Sequence, residues 1–120
     1  MHIESLREYC LSKKGATEGF PFDSETLVFK VMSKMFALTS LKNPVSINLK
    51  CEPEYAISLR EEYPDDVLAG YHMNKKHWNT VMIRGRLRDD FLQFLIDHSY
   101  EEVVKKLKKT EREQLASFGH

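Results

Sequence analysis

The stretch TLVFKVMSKMFALTSLKNPVSINLK, Thr26 to Lys50, decides the fold. Thr26 to Met32 and Met35 to Leu41 are both rich in the residues that pack well on a pleated surface, and only Ser33-Lys34 separates them. Two such runs with a two-residue connection read as a tight hairpin. Asn43-Pro44 supplies the next turn, and Val45 to Lys50 alternates apolar Val45, Ile47 and Leu49 with polar neighbours, the pattern of a strand with one wet face. The sheet is therefore expected to grow as an antiparallel meander.

Upstream, Ile3, Leu6, Cys10 and Leu11 recur at helical spacing and give a first helix, with Gly15 as its C-cap. Ala16 to Phe22 reads as a loop or an irregular strand, because Pro21 removes a ladder donor and Gly19 loosens the backbone. Downstream, Pro53 opens a second helix with Tyr55, Ala56, Leu59 and Tyr63 on one face, and Pro64-Asp65-Asp66 stops it. Val67 to Met73 reads as a short strand leading into a turn. Asn79 to Leu87 offers a further strand with Val81 and Ile83 inward and Gly85 at its exit. Asp89 and Asp90 open a last long helical region carrying Phe91, Phe94, Leu95, His98, Val103 and Leu107 at helical spacing. Ser99 followed by Glu102 resembles a capping box, which would break that region in two. The predicted order is α-β-β-β-α-β-β-α: an α+β, two-layer sandwich with helices packed on one mostly antiparallel sheet. It is expected to form a single domain over residues 1–109, followed by a polar, frayed tail over 110–120.

At 120 residues and 42% hydrophobic content the chain can bury one real core but not two. Its formal net charge of +0 argues against global disorder and against a strongly basic nucleic-acid protein, so any electrostatic binding face must be local. The opening MHIESLREYC lacks the pattern of a secretory signal, and no apolar run reaches the roughly 20 residues of a membrane span. The expectation is a cytoplasmic protein without a membrane partner. Cys10 and Cys51 are too few and too isolated for a disulfide framework, and a buried packing role fits them better than a redox one.

His72 and His77 invite a metal, but no nearby thiol or carboxylate completes a ligand set, so neither a metal nor another cofactor is expected. The chain shows no nucleophile elbow, phosphate-binding glycine loop or dinucleotide fingerprint, and it does not read as an enzyme. Charge distribution says more. Glu52, Glu54, Glu61, Glu62, Asp65 and Asp66 make one segment acidic, whereas Lys75, Lys76, Arg84, Arg86 and Arg88 cluster in the next. With His77, Trp78 and Asn79 among them, these cations have the ingredients of a phosphate-contacting face, in which cations attract phosphate while an aromatic or amide meets bases or sugars. The alternative is a solvated edge that offsets the acidic helix. Lys105, Lys106, Lys108 and Lys109 either enlarge the patch or form the solvent face of a final helix.

The segments PFDSETLVFKVMSKMFALTSL, SINLKCEPE, GYHMNKKHWNTV and LIDHSYEEVVKKL, in this order and spacing, resemble the MmcQ/YjbR-like family of small bacterial proteins. The resemblance runs from the first helix to about Lys109. It implies a secretion-chaperone-like α+β fold whose hairpins project as two wings, and a DNA-binding, possibly transcription-associated role that is itself an inference from fold. The family signature falls on His72, Asn74, Lys75, His77 and Trp78, with Phe29-Lys30-Val31 in the hairpin and Asp97-His98-Ser99-Tyr100 in the last helix. The resulting expectation is a non-enzymatic DNA-binding domain, monomeric or weakly dimeric. It would use Lys75, Lys76, His77, Trp78, Asn79, Arg84, Arg86 and Arg88. The alternative is a protein-interaction or chaperone-like module presenting Phe20, Phe22 or Met35.

Overall fold

β-forming runs pair with their sequence neighbours wherever a short turn allows it, and most of the sheet follows from that rule. The computed structural model describes residues 1–42, 46–70 and 73–119. Its first half contains α1 (Ile3–Leu11), β1 (Ala16–Gly19), β2 (Thr26–Val31), β3 (Lys34–Ser40) and β4 (Ser46–Lys50). The second half contains α2 (Pro53–Glu62), β5 (Val67–Ala69), β6 (Trp78–Met82), α3 (Asp89–Val104) and α4 (Lys109–Ala116). The expected Asn43-Pro44 turn, Val45 and His72 lie outside the described residues. The strands pair antiparallel in the spatial order β1-β2-β3-β4-β6-β5. This is the expected α+β sandwich, with one strand and one helix more than the sequence reading placed.

The extra strand is the segment read as a loop or irregular strand. Ala16 to Gly19 pairs with Val31 to Val28 at the sheet edge, and Pro21 falls just beyond the ladder, where its missing donor costs nothing. The β2–β3 turn is Met32-Ser33, one residue earlier than expected, with both residues at positive φ (48° and 68°). That mirror-image turn matches the right-handed twist of the strands. Lys34 thereby becomes a strand residue, facing Val31.

Register places Leu27, Phe29, Ala37, Ile47, Leu49 and Val81 on one face of the sheet, and all are buried in a single core with Leu6 and Cys10 of α1, Ala56 and Leu59 of α2, and Leu92 and Ile96 of α3. The register between β2 and β3 skips at Phe36: Phe29 faces Ala37, while Lys30 faces Met35. Such a bulge puts two consecutive side chains on the same side, and Phe36 and Ala37 are indeed both fully buried. It also bends the start of β3 away from β4, whose pairing with β3 ends at Ala37–Leu49.

α3 corrects the sequence reading twice. It runs unbroken through Ser99 and Glu102, so these do not form a capping box. Its buried stripe is Leu92, Leu95, Ile96, Ser99 and Val103, whereas Phe94 is exposed, and Phe91 and His98 turn sideways to pack on Tyr63 and Tyr55 of the α2 region at 5.3 Å between ring centres. Gly15 is not the cap of α1, which ends at Ser12. The chain read as a frayed tail forms α4, whose Leu115 is buried over Gly15. Gly15 has φ +71°, and a Cβ there would lie 2.6 Å from Leu115 Cδ1 and 3.0 Å from Phe118. Gly15→Ala is expected to cost about 1–2 kcal/mol, mostly from the left-handed backbone. Hydrogen exchange should show α4 loosening first, since the contacts it strains are side-chain ends that can move away.

Candidate nucleic-acid interface

The signature turn is built by its asparagine. Asn74 Oδ1 accepts from Lys76 N at 2.9 Å, and Asn74 O accepts from His77 N and Trp78 N at 3.1 and 2.9 Å, so the chain reverses and enters β6 at Trp78. His77 O accepts from Cys51 N at 2.8 Å, which anchors the turn to the end of β4. Gly70 N donates to Trp78 O at 2.9 Å, closing the β5 side. Lys75 and Lys76 stand exposed at the tip, His77 is half-buried and Trp78 is only 8% exposed.

The Asp97-His98-Ser99-Tyr100 segment is equally constructional. Asp97 accepts from Tyr9 Oη and Lys13 Nζ at 2.6 and 2.7 Å, which ties α3 to α1. His98 Nε2 accepts from Glu52 N at 3.1 Å, and Tyr100 Oη donates to Lys14 O. Ser99 Oγ, fully buried, donates to Phe36 O and accepts from Lys50 N at 2.8 Å. One hydroxyl thus satisfies both backbone groups that lose their partners where β3 and β4 part.

That parting leaves a fork, an open groove of about 440 Å³ between the hairpin, the ends of β4 and β6, and the C-terminal end of α3. Lys34 and Met35 line one wall, Lys50 and Trp78 the floor, and Lys106 and Leu107 the other wall. Burial and the neighbouring Lys106 hold the Lys50 ammonium below its ordinary value, partly offset by Glu102. Glu102 is itself paired with Lys105 at 2.5 Å. Among the described residues, Lys34, Lys50, Lys76 and Lys106 have no carboxylate partner. Unpaired cations gathered in a concave, partly apolar site focus potential and draw anions.

His77 sits beside this charge. Burial first, then Lys106, Lys50 and Lys76, hold its imidazole below the ordinary 6.5, and among the described residues its buried Nδ1 has no hydrogen-bond partner. Because the unfolded chain takes up this proton at higher pH than the folded one, stability is undiminished above about pH 6.5, the unfolded-state value, and is lost as pH falls below it through the lower folded-state midpoint. Lys106→Met is expected to raise the His77 titration midpoint, read from its ring resonances by NMR. An unchanged midpoint would mean that the lysine field does not reach the ring.

The sequence-predicted face therefore separates into three sets. Lys75 and Lys76 stand exposed at the turn with no carboxylate partner among the described residues, and the half-buried His77 follows them. Trp78 and Asn79 are buried, Asn79 Oδ1 accepting from Arg60 at 2.6 Å and Asn79 Nδ2 donating to Ala56 O at 3.4 Å. Arg84, Arg86 and Arg88 lie at the far end of β6, about 13 Å of strand away from the turn. Arg84 and Arg86 both reach Asp66 at 3.3 Å, Arg84 also donates to Asp65 O, and Arg88 pairs with Asp90 at 3.2 Å. Asp66 is nearly buried, so this arginine pair compensates a carboxylate that burial would otherwise penalise. Lys34 and Lys50 escaped the sequence reading. Their only signal was position, one directly after a hairpin turn and the other at a strand end.

Both cysteines are buried, and burial pushes each thiol up to about 12, far from a reactive thiolate. No helix among the described residues is long and apolar enough to cross a membrane.

The family model YjbR matches residues 11–102. The chain belongs to the YjbR family. It is 35% identical over 119 residues to the uncharacterised protein YjbR of Escherichia coli K12, covering 98% of this chain and 100% of that one. To the uncharacterised protein YbdF of Escherichia coli O157:H7 it is 37% identical over 97 residues, covering 80% of this chain and 79% of that one. The crystal structure of Deinococcus radiodurans protein DR2400 superposes with a TM-score of 0.89 at 42% identity, over 96% of this chain and 88% of that one. A crystal structure from Pseudomonas syringae superposes at 0.68 with 27% identity, over 85% and 98%. In this chain Asn74, His77 and Trp78 chiefly build the turn, and the exposed Lys75 and Lys76 stand at its tip.

Proposed function

We propose that this YjbR-family protein binds nucleic acid without catalysing a reaction, through phosphate contacts from the fork lysines, and that it does so in the cytoplasm as a monomer or weak homodimer. The observation that carries this reading is the convergence of Lys34, Lys50 and Lys106 on one groove, with Lys76 beside it and no carboxylate partner for any of them among the described residues. Lysine is a point donor with three rotatable N–H groups, suited to phosphate oxygens from several directions. In this reading the β2–β3 hairpin, whose tip lines the groove, is the wing that meets the nucleic acid.

Fluorescence anisotropy with labelled DNA at low salt is the direct test. Binding in the micromolar range is expected, falling with salt, and Lys34→Gln, Lys50→Gln and Lys106→Gln should each lower the salt slope by about 1. Absence of binding at roughly 50 µM protein, or a triple variant that binds as well as the parent, would defeat the proposal.

A second reading is favoured by a different surface. Phe20 and Phe22 are 48% and 65% exposed, and Phe22 with Met35, Leu38 and Met73 lines another groove of about 440 Å³ on the sheet face opposite the helices. A groove that mixes such apolar side chains with the hydroxyls and amides of Thr26, Ser46 and Asn48 suits a protein partner and requires no fork lysine. It predicts an interaction that Phe22→Ser abolishes and the lysine variants leave intact.

A further inference from the structure

Resting on the nucleic-acid reading above, we infer that the fork receives one unpaired nucleotide of a single strand, its base against Trp78, Met35 and Leu107 and its phosphates on Lys34, Lys50 and Lys106. Shape is the first argument. A duplex presents its bases only at the bottom of grooves about 6 and 12 Å wide, which proteins read with a convex helix, ribbon or arm. A concave fork meets only what is pushed into it, and about 440 Å³ lies within the size range of small-ligand sites. A single nucleotide fits that description; a base pair locked in a stack does not.

Lining is the second argument. Cations that merely track a duplex backbone need no apolar floor between them. Here Lys34, Lys50 and Lys106 line one groove together with Met35, Trp78 and Leu107, of which Trp78 and Leu107 show only their margins, 8% and 5% of their surfaces. Single-strand sites combine these two elements, a positive groove and aromatic or apolar side chains that meet the exposed face of a base. Trp78 is held by the Asn74 turn and the Gly70 ladder contact, so the small margin it shows to the groove is fixed before any ligand arrives. The free arginines expected at Arg84, Arg86 and Arg88 would have extended the surface for a duplex, but they are committed to Asp65, Asp66 and Asp90.

Trp78 is the chain's single tryptophan, so emission excited selectively at tryptophan, clear of the five tyrosines, reports on the fork. The full chain would be titrated at low salt with an oligothymidine of about 12 nucleotides, the same length as a mixed duplex, and the same length of abasic single strand. The single strand is expected to bind at least about 10-fold more tightly than the duplex and to change the Trp78 emission, whereas the abasic strand should lose about 10-fold and leave the emission unchanged. Lys34→Gln, on an exposed hairpin position that cannot endanger folding, should weaken the single strand by about 3- to 10-fold at low salt. Equal binding of single strand and duplex, or of intact and abasic strands, would overturn the inference while leaving phosphate binding in place. No binding of any of the three would overturn both readings.

Discussion

Ser99→Ala is expected to lower the unfolding free energy by about 2–3 kcal/mol, a large effect for one oxygen atom. The hydroxyl is fully buried and serves two backbone groups, donating to Phe36 O and accepting from Lys50 N. With alanine both lose their partner, the fully buried Phe36 O and the half-buried Lys50 N, at about 1–3 kcal/mol each and least where groove water can reach. The higher helix propensity of alanine within α3 returns about 0.5 kcal/mol. In urea the midpoint should fall by about 1–2 M with an unchanged slope, because the surface exposed on unfolding is the same. The fork should loosen as well, since Ser99 is what joins its two sides. A shift below roughly 0.5 kcal/mol would mean that β3 and β4 close on each other without the hydroxyl, removing the account of the fork given above.

That serine also shows where a sequence stops being readable. β2, β3 and β4 were legible because pleated strands with one buried face impose a period of two, and the hairpin between Thr26 and Ser40 needed only its turn moved by one residue. The bulge at Phe36 has no such signature: a large apolar residue beside a small one fits an undistorted strand equally well. Everything downstream of it was hidden too. Lys34 and Lys50 look like ordinary solvent-facing strand ends, and they face one groove with Lys106 only because the ladder opens at Ala37–Leu49. Lys106 could be weighed as part of a patch because it sits in a visible run of lysines, whereas the arginines misled for the converse reason. Their charge was plain in the sequence, but the carboxylates that neutralise Arg84 and Arg86 lie across the β5–β6 pair. α4 was missed because a helix with one buried residue, Leu115, carries almost no apolar period.

Gly70→Ala should be the most damaging conservative change in the signature segment. A Cβ at this position would lie 2.8 Å from both Trp78 Cβ and Trp78 O, and 3.1 Å from the Trp78 carbonyl carbon. Unlike the side-chain ends that crowd Gly15, a carbonyl fixed in a ladder cannot swing away. Either the Gly70 N to Trp78 O bond, now 2.9 Å, must break, or β6 must shift at its first residue. Overpacking against backbone of this kind costs about 3 kcal/mol, which for a domain of this size lowers the melting temperature by about 10 °C. Because the clash falls on Trp78, emission should move to longer wavelength as the indole gains water, well below the melting transition. Ser99→Ala supplies the comparison: it loosens the fork from the α3 side with Trp78 still held by Asn74, so its native-state emission should stay near that of the parent. If Gly70→Ala melted and fluoresced like the parent, the strand start would be free to adjust, and the turn could no longer be said to preset the floor of the groove.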